Sequence, residues 1–495
     1  MSATPARTRG EFTREELSKE LQHDYSTTDT GVVPANERRS LWHFTALWIT
    51  FAAGFTYLFL GFEFHRTGYP LGKAVAAGAL GALFYLAYAL PAAYLGSRTG
   101  QTHALLTRSI LGVVGSALVS LLLIGVAAGW TAFAFNLLAI MYDGLFNWGH
   151  IMLIGVILAV VGIFNNLFGF TGITAFARYI VAPLLIVWVF YLVIKGFVQI
   201  DRLGATPAVG EGAFPLPFWT GVALAIGSVM WGNEPDTWRY GRPRFWWPTV
   251  PYVIALAIGL VLFVIGGWMM GEVSQAVLFD FGPAFRDTVV FALFGALWLG
   301  AVIATVLQIA INDGNYYEMI NAGQNVVGGV RRWRRWYTCL IMAAIAAGFT
   351  WWFVHNPNIE LNFFKVAGWS ALALPCTTVV MCVDHFLLPR LTGLTRPVEP
   401  VPSWREAGLA NWPALVAIVA ALLLGAWGLQ LYPGQTSMPS LGLVPVEAWI
   451  LAGLLYAGLA WIAARSANSR ALLGFPAGLR RRDRDAPAGA TPETP

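Results

Sequence analysis

The chain has 495 residues, 57% of them hydrophobic and 12% charged, with a formal net charge of +5. Its mean hydropathy is +0.61. A water-soluble domain carries about twice that charged fraction, so the composition is that of a polytopic membrane protein. The positive balance does not point to nucleic acid, because the arginines sit in short loops between apolar stretches.

Residues 1–40 form a polar tail, with Arg and Glu interleaved and no cleavable signal sequence. Insertion through the first span is therefore expected. Apolar stretches of about 20 residues, the length that a bilayer core requires, then recur twelve times. They fall near Leu41–Phe62, Gly72–Leu95, Val114–Met141, Ile151–Phe168, Ile173–Val198, Trp219–Trp238, Pro248–Met270, Thr288–Ile311, Tyr337–Val354, Phe364–Leu388, Trp412–Leu431 and Val446–Ala464. Counting Lys and Arg places 25 on the side of the N-terminus and 6 on the other, so both termini are expected in the cytoplasm of a multi-pass protein of the cell membrane. The Pro/Ala/Arg-rich end, 475–495, reads as a solvated, disordered tail.

Two spans are interrupted. Phe218 to Tyr240 begins as a membrane helix, then meets Gly227–Ser228, Gly232–Asn233 and Glu234–Pro235–Asp236. Glycine weakens a helix, and proline removes a backbone donor and clashes with the preceding turn. Freed backbone at membrane depth is tolerated only where it faces protein or a cavity, and discontinuous helices of this kind build the binding sites of many secondary transporters. A simple kinked helix is the competing account of this stretch alone. Span 1 carries Ala52–Ala53–Gly54 in mid-membrane. Span 6 comes five spans after span 1, an odd offset, so the interrupted helices run in opposite directions. That offset predicts an all-α fold of two inverted five-helix repeats, 41–198 and 199–390, with two peripheral helices in 391–474.

Several residues offer chemistry. Gly129–Trp130 lies midway along span 3, where an indole faces protein more readily than lipid; as a ligand platform it would stack on a planar ring, and as a structural residue it would fill space. Asn312–Asp313–Gly314–Asn315–Tyr316–Tyr317 closes span 8, and its amides could read a heterocycle edge or merely meet solvent. Glu234, Asp236, Asp313 and Glu318 are the acidic groups nearest the membrane interior. Any of the four could take a proton during transport if burial raised its pKa, with Glu234, Asp236 and Asp313 the leading candidates for proton coupling, although Glu234 and Asp236 could instead pair with Arg239 and Arg242 at the surface. Glu63–Phe64–His65–Arg66 is a charged group directly after span 1. The seven histidines and three cysteines (Cys339, Cys376, Cys382) show no metal-ligand or redox spacing, and no phosphate-cradling or nucleophile motif occurs. Neither a resident cofactor nor an ATP-driven or enzymatic function is expected.

Four of these pieces, in this order, resemble the nucleobase:cation symporters, in their purine–cytosine permease branch. Gly96–Ser97–Arg98–Thr99–Gly100, with Arg108 and Gly112–Val113–Val114–Gly115–Ser116, is similar to that family's loop after span 2. Gly129–Trp130 is similar to its span 3 motif. Asn233 to Tyr240 resembles its Asp-x-x-Arg-aromatic ending of span 6, and Asn312 to Tyr317 the end of span 8. The resemblance implies a LeuT-like fold with discontinuous helices 1 and 6 and a planar heterocycle held between spans 1, 3, 6 and 8. It implies that Trp130 stacks on the base and Asn312 binds its edge. The broken backbone at Gly227–Ser228 and Gly54 would supply main-chain groups, and Val229 and Trp231 the opposite wall.

Two departures from the family pattern stand out. Ala310 and Ile311 replace hydroxyl side chains that complete a sodium site in sodium-coupled members, which favours a proton over sodium as the coupling ion. Ala127 stands where cytosine permeases carry a glutamine, so cytosine itself is not implied.

The expectation is a monomeric secondary transporter importing a nucleobase or related planar heterocycle by alternating access, with lipid around it and no nucleic-acid partner. The alternatives are a carrier of the same fold for amino acids, amines or osmolytes, which would want a carboxylate-binding helix end or an aromatic cage, and a non-transporting sensor.

Overall fold

In the computed structural model, residues 32–33, 37–52, 54–210, 213, 215–230, 232, 234–274, 280–328, 335–356, 358–397, 401–431, 440 and 442–475 are described. All regular structure among them is helical. The expected tails at 1–31 and 476–495 lie outside them. Val33 donates its N–H to the Gly100 carbonyl (2.9 Å), and Arg396 donates to the carbonyl of Leu473 (2.9 Å). Both described chain ends thus meet loops on one side of the molecule, the terminal face; the other side is the far face.

Span 1 is two helices, α1 (Leu41–Phe51) and α2 (Phe55–Arg66), bent by 47° at the Ala52–Gly54 break. Next come α3 (Leu71–Thr99) and α4 (His103–Phe146). The Thr102 hydroxyl caps α4 by accepting from the Leu105 N–H (3.1 Å). Gly112, at φ 76° and ψ −174°, splits α4 into a short terminal-face helix and the span proper, a geometry that only glycine adopts without strain.

From Ile151 to Gln199 the chain is apolar for 49 residues, more than twice what one crossing needs at about 1.5 Å per residue. It folds back between α5 (Ile151–Val161) and α6 (Gly169–Phe176), where Gly169 has φ 64°. A wide π-type turn then leads into α7 (Ala182–Gln199). Span 6 is likewise split, into α8 (Phe218–Val229) and α9 (Glu234–Trp238). The chain continues as α10 (Thr249–Leu256), α11 (Phe263–Ser274), α12 (Phe281–Ala292), α13 (Leu297–Gly328), α14 (Arg335–His355), α15 (Ile359–Cys382), α16 (Leu388–Thr392), α17 (Trp412–Gly428) and α18 (Val444–Ala464).

Eight described helices are long and apolar enough to cross a membrane, nine with the bent pair α1/α2. Resolving the doubled 151–199 segment, the broken α8/α9 and the shorter apolar α17 gives the twelve crossings expected. The two broken spans run antiparallel. The α8 start lies at the far face, where the Tyr69 hydroxyl donates to the Pro217 carbonyl (2.9 Å); α9 leads to the terminal face, where Arg38 donates to the Gly241 carbonyl (3.0 Å).

Two boundaries differ from the sequence reading. The segment expected as span 8, Thr288–Ile311, joins the end of α12 to the start of α13. Phe294 and Gly295, both at positive φ (55° and 79°), separate them, and α13 continues 17 residues past Ile311. Hydropathy stopped short because Asn312, Asp313, Asn315, Glu318, Asn321, Gln324 and Asn325 are all buried inside the protein. The break in span 6 falls after Val229, around Gly232 (φ 71°), rather than at Gly227–Ser228, which are still helical.

Close backbone packing explains several glycines. A Cβ on Gly267 of α11 would lie 1.9 Å from the Leu58 carbonyl of α2, so these two helices touch main chain to main chain. On the terminal side, Arg396 clasps Asp384 through Nε (2.9 Å) and Nη2 (3.1 Å). The Tyr456 hydroxyl of α18 donates to the same carboxylate, tying the peripheral helices to the end of α15.

Candidate binding cavity

The two breaks leave orphaned backbone groups, and side chains from other helices answer them. At the span 1 break the Phe55 N–H donates to Gln308 Oε1 of α13 (3.3 Å), while Gln308 Nε2 donates to the Ala134 carbonyl of α4 (2.9 Å). At the span 6 break the Ser370 hydroxyl of α15 donates to the Met230 carbonyl (2.8 Å). Gln308 and Ser370 are fully buried, so each hydrogen bond spares a costly unpaired group.

Between the breaks lies a small cavity lined by Thr56, Trp130, Ala134, Ser228, Met230, Ile311 and Asn315. Trp130 is held edge-to-face by Phe133 (centroids 5.9 Å apart) and Phe363 (6.2 Å). Asn315 donates through Nδ2 to Asn312 Oδ1 (3.0 Å), and Asn312 Nδ2 donates to the Gln308 carbonyl (2.7 Å). This relay fixes the Asn315 amide and leaves its carbonyl oxygen without a protein donor among the described residues. Ser228 satisfies its hydroxyl proton on the Leu224 carbonyl (2.8 Å) and keeps its lone pairs. Among the described residues, no charged side chain lines the cavity.

Trp130 and Ser228 thus lie on the cavity wall, as does Ile311, singled out in the sequence as a departure. Asn312 lies one layer behind, as the support of Asn315. Gly54 sits behind Ile311, where a Cβ would fall 2.4 Å from Ile311 Cδ1, and Gly227 packs on α15, where a Cβ would fall 2.3 Å from the Ala367 carbonyl. Val229 is buried away from the cavity, and Trp231 lies outside the described residues. Thr56, Ala134 and Met230 were not read from the sequence, and Asn315 only as one of the amides closing span 8. Asn315 had a signal: three residues after Asn312, it shares that helix face.

The acidic candidates are buried rather than at a surface. Glu234 is 0% exposed and Asp236 1%. Glu234 Oε2 accepts from the Tyr88 hydroxyl (3.2 Å). Asp236 Oδ1 accepts from the His103 N–H (3.2 Å) and from Asn321 Nδ2 (3.3 Å). Arg239 donates to the Tyr317 hydroxyl (2.6 Å). Asp313 faces away from the cavity toward the fold-back after α5, accepting from Asn165 (2.9 Å) and Asn166 (3.3 Å). Near the far face, Glu63 and Arg66 are paired (3.1 Å) and His65 meets Glu272 (3.0 Å). Among the described residues no group of His, Cys, Asp and Glu could hold a metal ion.

Residues 32–451 match the family model described as permease for cytosine/purines, uracil, thiamine, allantoin. The cytosine permease of Escherichia coli strain K12 is 27% identical over 421 residues, covering 81% of this chain and 88% of that protein. Among solved structures, Mhp1, a nucleobase-cation-symport-1 family transporter in a closed conformation with bromovinylhydantoin bound, superimposes with a TM-score of 0.66 at 16% identity, covering 91% of this chain and 99% of that one. An inward-facing conformation of Mhp1 gives 0.64 at 18% identity, covering 90% and 98%. A Na+-coupled sialic acid symporter gives 0.56 at 12% identity, covering 90% and 95%.

Proposed function

The chain belongs to the family of permeases for cytosine and purines, uracil, thiamine and allantoin, and from that premise we propose that it imports a neutral planar heterocycle of the nucleobase class by alternating access. The observation that carries the choice of substrate is the cavity between the two breaks: an indole wall at Trp130, an oriented amide at Asn315 and no charged lining residue. A base needs a flat surface worth about 1–3 kcal/mol in stacking and hydrogen-bonding groups for its edge. An amino acid or quaternary amine would want a charge or an aromatic cage, and the lining provides neither.

The Asn315 carbonyl oxygen would accept from a ring N–H or exocyclic amine, and the hydroxyls of Thr56 and Ser228 would serve the remaining edge. Spans 1, 2, 6 and 7 would rock against spans 3, 4, 8 and 9, with the terminal face in the cytoplasm of a monomer in the cell membrane, in keeping with the 25-to-6 distribution of basic residues. For the coupling ion we favour the proton. Ile311 fills the space beside Gly54 with a hydrocarbon, where sodium would need oxygen ligands.

The test is a thermal-shift screen of the purified chain against purines, pyrimidines and hydantoins, followed by uptake in proteoliposomes. At least one base should stabilise the protein, and Trp130→Ala should lower its uptake at least tenfold while expression holds. Stabilisation by amino acids or betaines alone would contradict the reading.

A further inference from the structure

One face of α13 beyond the cavity carries Glu318, Asn321 and Gln324, spaced three residues apart and each no more than 4% exposed. Their polar atoms are unusually short of partners. Among the described residues, Glu318 Oε1, Asn321 Oδ1 and both ends of the Gln324 amide make no hydrogen bond, nor does Glu234 Oε1 of α9. Asn321 is aimed into this group, since its Nδ2 reaches Asp236 Oδ1 (3.3 Å). Leaving a buried polar atom unpaired is costly; so many in one place are a heavy burden unless another conformation hydrates them.

Glu318 lies three residues before Asn321 on α13 and so shares the helix face whose amide reaches Asp236. Around the group, Tyr85 and Tyr88 face it from α3, His103 from the start of α4, and Tyr252 from α10. Arg239, beyond α9, is engaged with Tyr317, and the Cys382 thiol stands on the α15 side. Three carboxyls buried on facing helices, two of them with an unpaired oxygen among the described residues, are costly to keep all ionised out of water.

The cluster also lies across the moving parts. Glu234 and Asp236 ride on the short helix after the span 6 break, whereas Glu318 and Asn321 belong to α13.

We propose that Glu318, set against Glu234 and Asp236, is the acid that carries the transported proton, and that the Glu318–Asn321–Gln324 stripe is the path by which water reaches it when the terminal face opens. In the closed form one O–H bond is kept among the three carboxyls. When α9 swings from α13, entering water takes that proton, the carboxylate is left hydrated, and the proton departs on the terminal side. This inference rests on the transport reading above but names an acid outside the base-binding cavity.

Four measurements on the full chain test it. In proteoliposomes with equal pH on both sides, Glu318→Gln should exchange a stabilising base within threefold of the wild-type rate. Under an inward proton gradient it should accumulate that base at least tenfold less. By infrared spectroscopy at neutral pH, the wild type should show a protonated carboxyl band that weakens in Glu318→Gln. Glu234→Gln, which removes a facing charge and leaves Glu318 in place, should move the pH midpoint of accumulation downward, and covers the case in which Glu318→Gln fails to fold. Gradient-driven accumulation by Glu318→Gln equal to wild type, an unchanged infrared band, or an unmoved midpoint in Glu234→Gln would overturn the proposal. If the wild type exchanges no base at all, the cavity reading fails on its own, and the infrared comparison still decides the proton site.

Discussion

The two ends of the bundle that encloses the cavity are sealed by different chemistry. Toward the far face the seal is aromatic: Phe59 meets Phe133, Phe281 and Phe363 with ring centroids 5.1–5.4 Å apart, and Phe55 meets Phe285 at 5.3 Å. Toward the terminal face it is polar and directional, with Asp236 taking the His103 and Asn321 donors, Glu234 taking Tyr88, and Arg239 reaching Tyr317. Apolar contact is non-directional and scales with area, so the far seal can slide and re-form with little penalty. Hydrogen bonds are made or broken as units, and their buried partners must be rehydrated when they part. The molecule thus has an apolar gate toward the far face and a hydrogen-bonded latch toward the terminal face.

The largest expected effect that separates the two is on stability. Phe59→Ala should lower the unfolding free energy by about 3–5 kcal/mol, the range for a buried aromatic truncated in a core, seen as a drop in the thermal midpoint in detergent. A drop of a degree or less would mean that the far seal is not packed as described.

Next is the latch. Asp236→Ala should leave a buried amide N–H and the Asn321 side chain unpaired, about 2 kcal/mol against the closed terminal face, or roughly thirtyfold in population. Spin labels at the exposed Tyr179 and Arg242 positions should report a longer distance in the variant. An unchanged distribution would remove the latch.

The smallest effect is expected at the span 1 break, which belongs to neither gate. Gln308→Met keeps the volume but loses both hydrogen bonds, at about 1–3 kcal/mol. It should raise KM more than it changes kcat, because the wall formed by Thr56 and Ala134 loosens, and Gln308→Glu, which keeps the acceptor for Phe55, should recover part of the loss. Equal changes in KM and kcat in both variants would assign Gln308 to general stability instead.

How much of this was legible in the sequence differs by region. The span 1 break was readable because Ala52–Ala53–Gly54 interrupts an otherwise uniform apolar helix. Trp130 was readable because a mid-span indole next to a glycine has few reasons to face lipid. The span 6 break was found but misplaced toward Gly227–Ser228; those residues are small because α15 lies against them, as the Ala367 carbonyl shows, and small size for packing looks in a sequence like small size for flexibility.

The inner half of α13 was illegible. Hydropathy treats Asn312, Asn315, Glu318 and Asn321 as the end of a span, because it cannot tell a polar residue turned to solvent from one turned into a protein interior. For the same reason Glu234 and Asp236 suggested surface pairs with arginines, whereas burial under α3 and α13 gives them tyrosine, amide and backbone donors. Spacing puts Asn315 on the same face as Asn312, but which of the two reaches the cavity depends on rotation about the α13 axis.

The most direct test of the central claim is the structure of the chain bound to the base that stabilises it most. The account predicts the ring lying flat on the Trp130 indole with one edge within hydrogen-bonding distance of Asn315. A base bound elsewhere, or Trp130 turned away from it, would contradict the account.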